Sequence, residues 1–210
     1  MTRWGWGAVA WAATAMPAVA STMPGTDMPR GQVRLTGGAG AIAADYAPLD
    51  RWSLGAMASF VPLTFQSASV WYGHAGLRVG YRLVEAGNVS VGVVMSGGLT
   101  EAVDGGDFVG IRRRVSGWVQ PALSGAVSWP VWIQGARLHL RATLGPSFSF
   151  DPAQAGVYTF PLLPNAEVAL SFPASTRTGV IPGMAPFPVR EPAHEVVIGG
   201  GSILAYRWLL

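Results

Sequence analysis

The chain has 210 residues, no cysteine, 28 glycines, and 14 basic residues, all arginine, against 11 acids. Without cysteine there is no disulfide, thiolate metal site or thiol nucleophile, and a formal net charge of +3 is too small and too dispersed for a nucleic-acid surface. The many glycines and the low charge point to an all-β chain with close backbone approaches, held by strand pairing and packing alone.

Met1 to Ala20 reads as a secretory signal. Arg3 is its basic start, Trp4 to Met16 its apolar stretch, and Ala18-Val19-Ala20 its cleavage site, with cleavage expected after Ala20. Residues 21–31, with prolines, glycines and no periodicity, read as a flexible leader; 32–210 forms a single barrel domain.

A first strand is predicted over Gln32–Ala43, where Val33, Leu35, Ala39 and Ala41 alternate with Gln32, Arg34, Thr36 and Gly38. Its tail, Gly38-Ala39-Gly40-Ala41, superficially fits a dinucleotide-binding loop. Neither the following helix nor the acid about twenty residues on is present, so strand curvature explains the glycines better. A turn is expected at Tyr46–Arg51 and a second strand at Trp52–Pro62. Val70–Val84 has the clearest alternation: Trp71, Leu77, Val79, Tyr81 and Leu83 share one face, and His74, Arg78 and Arg82 the other. Glu85–Asn88 turns the chain.

Val89–Ala102 and Val115–Ser128 continue the pattern. Between them, Arg112-Arg113-Arg114 leaves a loop with Arg113 in the outward phase, where a guanidinium suits the paired bonds of a lipopolysaccharide phosphate, or simply solvates the rim. Ala136–Phe150 sets Leu138, Leu140, Leu144 and Phe148 against Arg137, His139 and Arg141. Val157–Leu163 and Ala166–Pro173, with Glu167 in the polar phase, are predicted as separate strands joined by a turn at Pro164-Asn165. Residues 173–192, rich in proline, are the longest loop and a candidate docking segment for a protein partner. Val196–Leu210 is the last strand, with Arg207 on its polar face. These nine segments leave eight or ten strands open, because an up-and-down membrane barrel needs an even number.

Bulky aromatics lie near strand ends on the apolar faces, while the opposite faces carry serine, threonine, glycine and a few arginines. That contrast favours a membrane barrel with apolar residues outward over a soluble, lipocalin-like binding barrel. The signal, the alternating strands and the final stretch Gly201–Leu210 resemble the small outer-membrane β-barrels of Gram-negative bacteria. The resemblance implies an antiparallel transmembrane β-barrel, eight strands favoured and ten possible, in contact with outer-membrane lipid. It implies recognition by the barrel-insertion machinery through Tyr206, Trp208 and Leu210.

The expected lumen then holds Arg34, His74, Arg78, Arg82, Arg137, His139, Arg141, Glu167 and Arg207. Such a set serves a narrow anion-attracting passage or, in a barrel this small, fills its interior. A histidine beside a lumenal serine such as Ser96 would supply a general base, so a lipid-modifying enzyme is a further alternative. The three histidines lack metal-ligand spacing, and no cofactor motif is found. The expectation is a non-enzymatic outer-membrane scaffold or narrow passive channel.

Overall fold

The computed structural model describes residues 26–38, 40–65, 68–104, 112–132, 135–151, 156–173, 176–179, 187–190, 193–199 and 202–210. The predicted signal lies outside them. Twelve strands are described: β1 (Val33–Gly38), β2 (Ala41–Leu49), β3 (Trp52–Phe65), β4 (Ala68–Ala86), β5 (Val89–Asp104), β6 (Arg112–Pro130), β7 (Arg137–Asp151), β8 (Gly156–Phe172), β9 (Thr176–Gly179), β10 (Phe187–Arg190), β11 (Ala193–Gly199) and β12 (Ser202–Leu209). All but β9 and β10 close into one barrel in the order β1-β12-β11-β8-β7-β6-β5-β4-β3-β2, and every ladder is antiparallel.

The barrel therefore has ten strands, not the favoured eight. Two predicted strands are hairpins. The first divides at Gly40, whose φ of 78° fits a tight turn that glycine adopts without a Cβ clash. The last divides after Gly199, at φ 93°. Conversely, Pro164-Asn165 is no turn: β8 runs through it, with Pro164 opposite Leu144 and Asn165 opposite Thr143. β11 reaches β8 only as far as Glu167, so Pro164 stands where β8 is an edge on that side and a missing N–H removes no ladder bond. The predicted turn at Tyr46–Arg51 begins later, because β2 continues to Leu49. Within the predicted loop 173–192, β9 and β10 pair as a separate two-stranded sheet.

The register fixes the strand tilt. From Thr36 the partners run one way through Ala43, Met57, Gly76, Gly98, Trp118, Ser149 and Tyr158, and the other way through Arg207, Glu195 and Ser171. Both paths end on β8 about thirteen residues apart, and discounting the extra residue of the bulge between Gly145 and Ser147 leaves a shear of about twelve. For ten strands that corresponds to a tilt of about 40°. Because β1 and β12 are antiparallel neighbours, with Arg34 opposite Leu209, both ends of the barrel domain emerge at one rim, together with the β2–β3 and β4–β5 turns.

The pleat sorts the side chains by polarity. In β2, Ala41, Ala43, Asp45 and Ala47 are buried while Ile42 and Tyr46 are exposed. In β4, His74 and Arg78 are buried while Leu77 is 69% exposed. Around the wall, Leu35, Leu54, Met95, Leu123, Leu144, Val168, Ile198 and Leu204 point outward, whereas Thr36, Ser53, Thr100, Gln120, Ser124, Thr143 and Ser147 point in. The wall is thus apolar outside and polar within, the orientation expected from the aromatic strand ends and the sparse charge of the polar faces. At the rim where the ends emerge, Trp52 packs on Tyr81 with ring centroids 4.9 Å apart, and Tyr206 meets Trp208 edge-on at 4.8 Å. Trp71, which shares the predicted apolar face with Tyr81 at the other end of the strand, has its side chain outside the described set.

Candidate functional site: a charged network inside the barrel

Five consecutive strands of the wall each contribute one charged residue to the lumen: Arg34 from β1, Arg207 from β12, Glu195 from β11, Glu167 from β8 and Arg141 from β7. Two of the ion pairs are direct cross-strand neighbours, Glu195 opposite Arg207 and Arg141 opposite Glu167. Arg207 donates from Nη1 to Glu167 Oε1 at 2.9 Å and Glu195 Oε2 at 2.8 Å, from Nη2 to Glu167 Oε2 at 3.1 Å, and from Nε to Thr36 Oγ1 at 2.9 Å. Arg141 reaches Glu167 Oε1 at 2.9 Å and spans Glu195 at 3.0 and 3.1 Å. Arg207 is 0% and Glu195 1% exposed, so each charge depends on the others rather than on water.

The leader supplies the sixth charge. Asp27 accepts from Arg141 Nε at 2.7 Å through Oδ2 and from Arg34 Nη2 at 3.1 Å through Oδ1. Thr26 and Met28 beside it are buried, and the Thr26 and Ser124 hydroxyls lie 2.5 Å apart. The Thr26 methyl fits over Gly80 and Gly92, where an added Cβ would come within 3.1 and 3.2 Å of it. Burial pushes the Asp27 carboxyl's pKa up, but the Arg141 and Arg34 guanidiniums outweigh that and hold it well below the usual carboxylate range. Residues 26–28 thus occupy the lumen. With Asp27 in place the network holds three guanidiniums and three carboxylates.

A second pair crosses the barrel wall at β2–β4. Arg78 grips Asp45 side-on, Nε to Oδ1 at 2.6 Å and Nη2 to Oδ2 at 2.5 Å. The intervening partner is Gly55, where a Cβ would sit 2.1 Å from Asp45 Oδ1 and 2.8 Å from Arg78 Nε. Only a residue without a side chain leaves room for that pair.

The remaining predicted lumen residues lie apart from this network. Arg82 is at the rim, bonded to the Asp50 carbonyl and paired with Glu85 at 3.0 Å. Arg137 is exposed and donates to Asn88 Oδ1 and Ser128 Oγ, so it too belongs to the rim. His74 is buried across from the ionic cluster, its Nδ1 2.8 Å from Thr100 Oγ1 and its ring stacked on Trp118 at 4.7 Å. His139 meets Ser171 Oγ at 2.8 Å through Nε2, and Glu195 lies 3.9 Å from that same nitrogen. A nucleophile–base–acid relay needs the acid on the other ring nitrogen, and Glu195 is already held by two arginines. Ser96 faces the Gln120 carbonyl at 3.3 Å instead of a histidine. Arg113 pairs through its backbone with Val103, while its side chain is outside the described residues.

Comparison with known protein families, curated proteins and solved structures finds no match.

Geometry alone therefore describes the site. No group of three or more potential ligands for a metal ion is found among the described residues, and no helix there is long and apolar enough to cross a membrane, which does not bear on strands. Asp27, Asp45 and Glu195 were absent from the sequence-based set. Asp45 fell just before the predicted turn, Asp27 in the leader, and Glu195 one residue before the predicted last strand. Their signal was indirect: enclosed arginines require enclosed acids. On the outer wall, an apolar depression of about 790 Å³ lies beside Pro121 and Pro146, bounded by Trp52, Tyr81, Met95 and Leu144. Tyr206, Trp208 and Leu210 all face outward, and Leu210 closes the barrel edge through paired backbone bonds with Val33.

Proposed function

We propose that this chain is an integral outer-membrane β-barrel acting as a non-enzymatic scaffold, with its lumen filled by its own ionic network. The observation that carries the reading is the inverted wall: large apolar side chains face outward on strands all round the barrel, and the charges are enclosed. Each buried Leu- or Val-sized side chain gains about 1.5–3 kcal/mol on leaving water, so a wall of them facing solvent would strongly favour association or lipid. The ten-strand count, the shear and the aromatic rim fit the same reading.

In this proposal Tyr206, Trp208 and Leu210 are the stretch read by the insertion machinery. The rim carrying both ends of the barrel faces the periplasm, and the β9–β10 segment projects there toward a partner. Arg113, near the other rim, is then positioned for lipopolysaccharide. Against a passive channel stands the near-complete burial of Arg207, Glu167 and Glu195, with the leader seated beside them. The mature chain is expected to need detergent for extraction, to show heat-modifiable gel mobility, and to give no steady conductance in planar bilayers. Free solubility without amphiphile would overturn the membrane assignment, and an ohmic conductance would favour the narrow channel.

A further inference from the structure

The contribution of the leader to charge balance has a chemical consequence. Remove the Asp27 carboxylate and the enclosed network is left with Arg34, Arg141 and Arg207 against Glu167 and Glu195, one guanidinium in excess. The excess falls on Arg34. Its side chain is 2% exposed, its one bonded nitrogen donates to Asp27, and its Nε and Nη1 are buried without partners. Arg141 keeps its glutamates through Nη1 and Nη2, whereas its Nε points at Asp27. The two guanidiniums thus address the same carboxylate from two sides, each taking one oxygen.

We propose that Arg34 and Arg141 form a carboxylate-binding site inside the lumen, which the chain fills with its own Asp27 and which a free carboxylate takes when that side chain is withdrawn. The ligand class follows from the donors. Two converging guanidinium N–H groups suit the two oxygens of a planar carboxylate, and the space that Asp27 vacates is that of a formate-sized group. Enclosure by the wall makes the site selective for charge, because an unpaired guanidinium there has little water to turn to. The leader is then an internal ligand, and a carboxylate-bearing solute or peptide end arriving from the same rim would compete with it. This inference needs the closed barrel but not its location. Its failure would leave the membrane reading untouched, and a water-soluble barrel would leave the test equally readable.

The test is chemical rescue in the full mature chain. Asp27→Ala is refolded and melted in sodium formate, in sodium chloride of equal concentration, and in formamide, which has a similar shape without the charge. Formate at about 100 times its Kd is expected to raise the melting temperature of the variant by roughly 5–10 °C, growing with the logarithm of its concentration, with no comparable rise in the unmodified chain. No formate effect, an equal effect of chloride or formamide, or the same rise in the unmodified chain would each overturn the assignment. If Asp27→Ala refolds only in formate, the assignment stands. If it refolds in none of the three, the charge-balanced variant Asp27→Ala/Arg34→Met decides: folding without added anion supports a surplus guanidinium as the cause, and failure to fold removes it.

Discussion

The two sides of this barrel are held by different means. On one side the strands are short, 6 residues in β1, 7 in β11 and 8 in β12, and the lumen behind them carries the ionic network. On the other, β4 and β6 each run for 19 residues, and the lumen holds His74, Thr100, Gln120, Ser124 and Trp118 without an ion pair among them. Short ladders supply few backbone bonds across the seam where β1 meets β12, and there Arg207 ties the two strands by donating to Thr36, while Glu195 holds Arg207 from β11. Along the longer ladders the lumen is filled mostly by small and neutral residues, with the Asp45–Arg78 pair as the exception. Most of the enclosed charge thus lies beside the seam, although Arg141 and Glu167 come from the long strands β7 and β8.

That contrast is broken most directly at its centre. Glu167→Ala leaves Arg207 and Arg141 sharing one glutamate and Asp27, and an uncompensated buried charge costs about 3–5 kcal/mol. A large drop in the denaturant midpoint, followed by heat-modifiable mobility, is the expected outcome; a drop no larger than that of Thr100→Ala would mean the network does not hold the seam. Gly55→Val should come next. Its side chain would displace the Asp45–Arg78 pair, at a cost of about 2–4 kcal/mol. The double variant Asp45→Ala/Arg78→Met in the Gly55→Val background should recover part of that loss, and no recovery would show that backbone crowding rather than the ion pair sets the effect.

The leader gives a smaller effect with a definite pH dependence. Because the carboxyl pKa of Asp27 is lower in the folded chain than its ordinary 3.8, its contribution to stability is fully present above about pH 4 and falls away as the pH drops further. Acid melting curves of the unmodified chain should therefore fall below pH 4, and Asp27→Asn should flatten that limb while leaving the slope between pH 5 and 8 unchanged. Identical acid limbs in the two proteins would place the leader outside the lumen in solution.

Alternation in the sequence sorted Arg34, Arg78, Arg141, Glu167 and Arg207 onto one face and Leu77, Leu144, Leu204, Tyr206 and Trp208 onto the other, because large and charged residues differ sharply at period two, while the aromatic strand ends and the sparse charge of the polar face indicated which face lies inside. It failed where the contrast vanished. Across Gly38, Ala39, Gly40 and Ala41 the inward phase passes from even to odd positions, so Ala41 faces the lumen although it read as part of the apolar face. Alanine and glycine carry no polarity to mark that change, and the hairpin stayed hidden. The opposite error arose at Pro164, whose turn preference is a local property. Its tolerance within β8 depends on where β11 ends, which is set by strands distant in the chain. Arg82 and Arg137 kept the polar phase but lay too near the rim to join the network, since phase fixes a face and not a depth.

The neutral side allows the finest test. His74 donates or accepts one bond with Thr100, stacks on Trp118, and leaves Nε2 buried without a partner. Replacing it with phenylalanine removes that bond, worth about 0.5–1.5 kcal/mol, and also removes the buried unpaired nitrogen, while keeping a ring against Trp118. The two changes oppose each other, so His74→Phe should shift the unfolding midpoint by less than about 1 kcal/mol, against several for Glu167→Ala at similar burial. If His74→Phe were as damaging as Glu167→Ala, the imidazole would be doing more than packing, and the pair His74–Thr100 would have to be compared through its double-variant cycle with Thr100→Val. A coupling near the value of one hydrogen bond returns His74 to a packing role; a much larger one makes the neutral side as dependent on polar pairing as the seam.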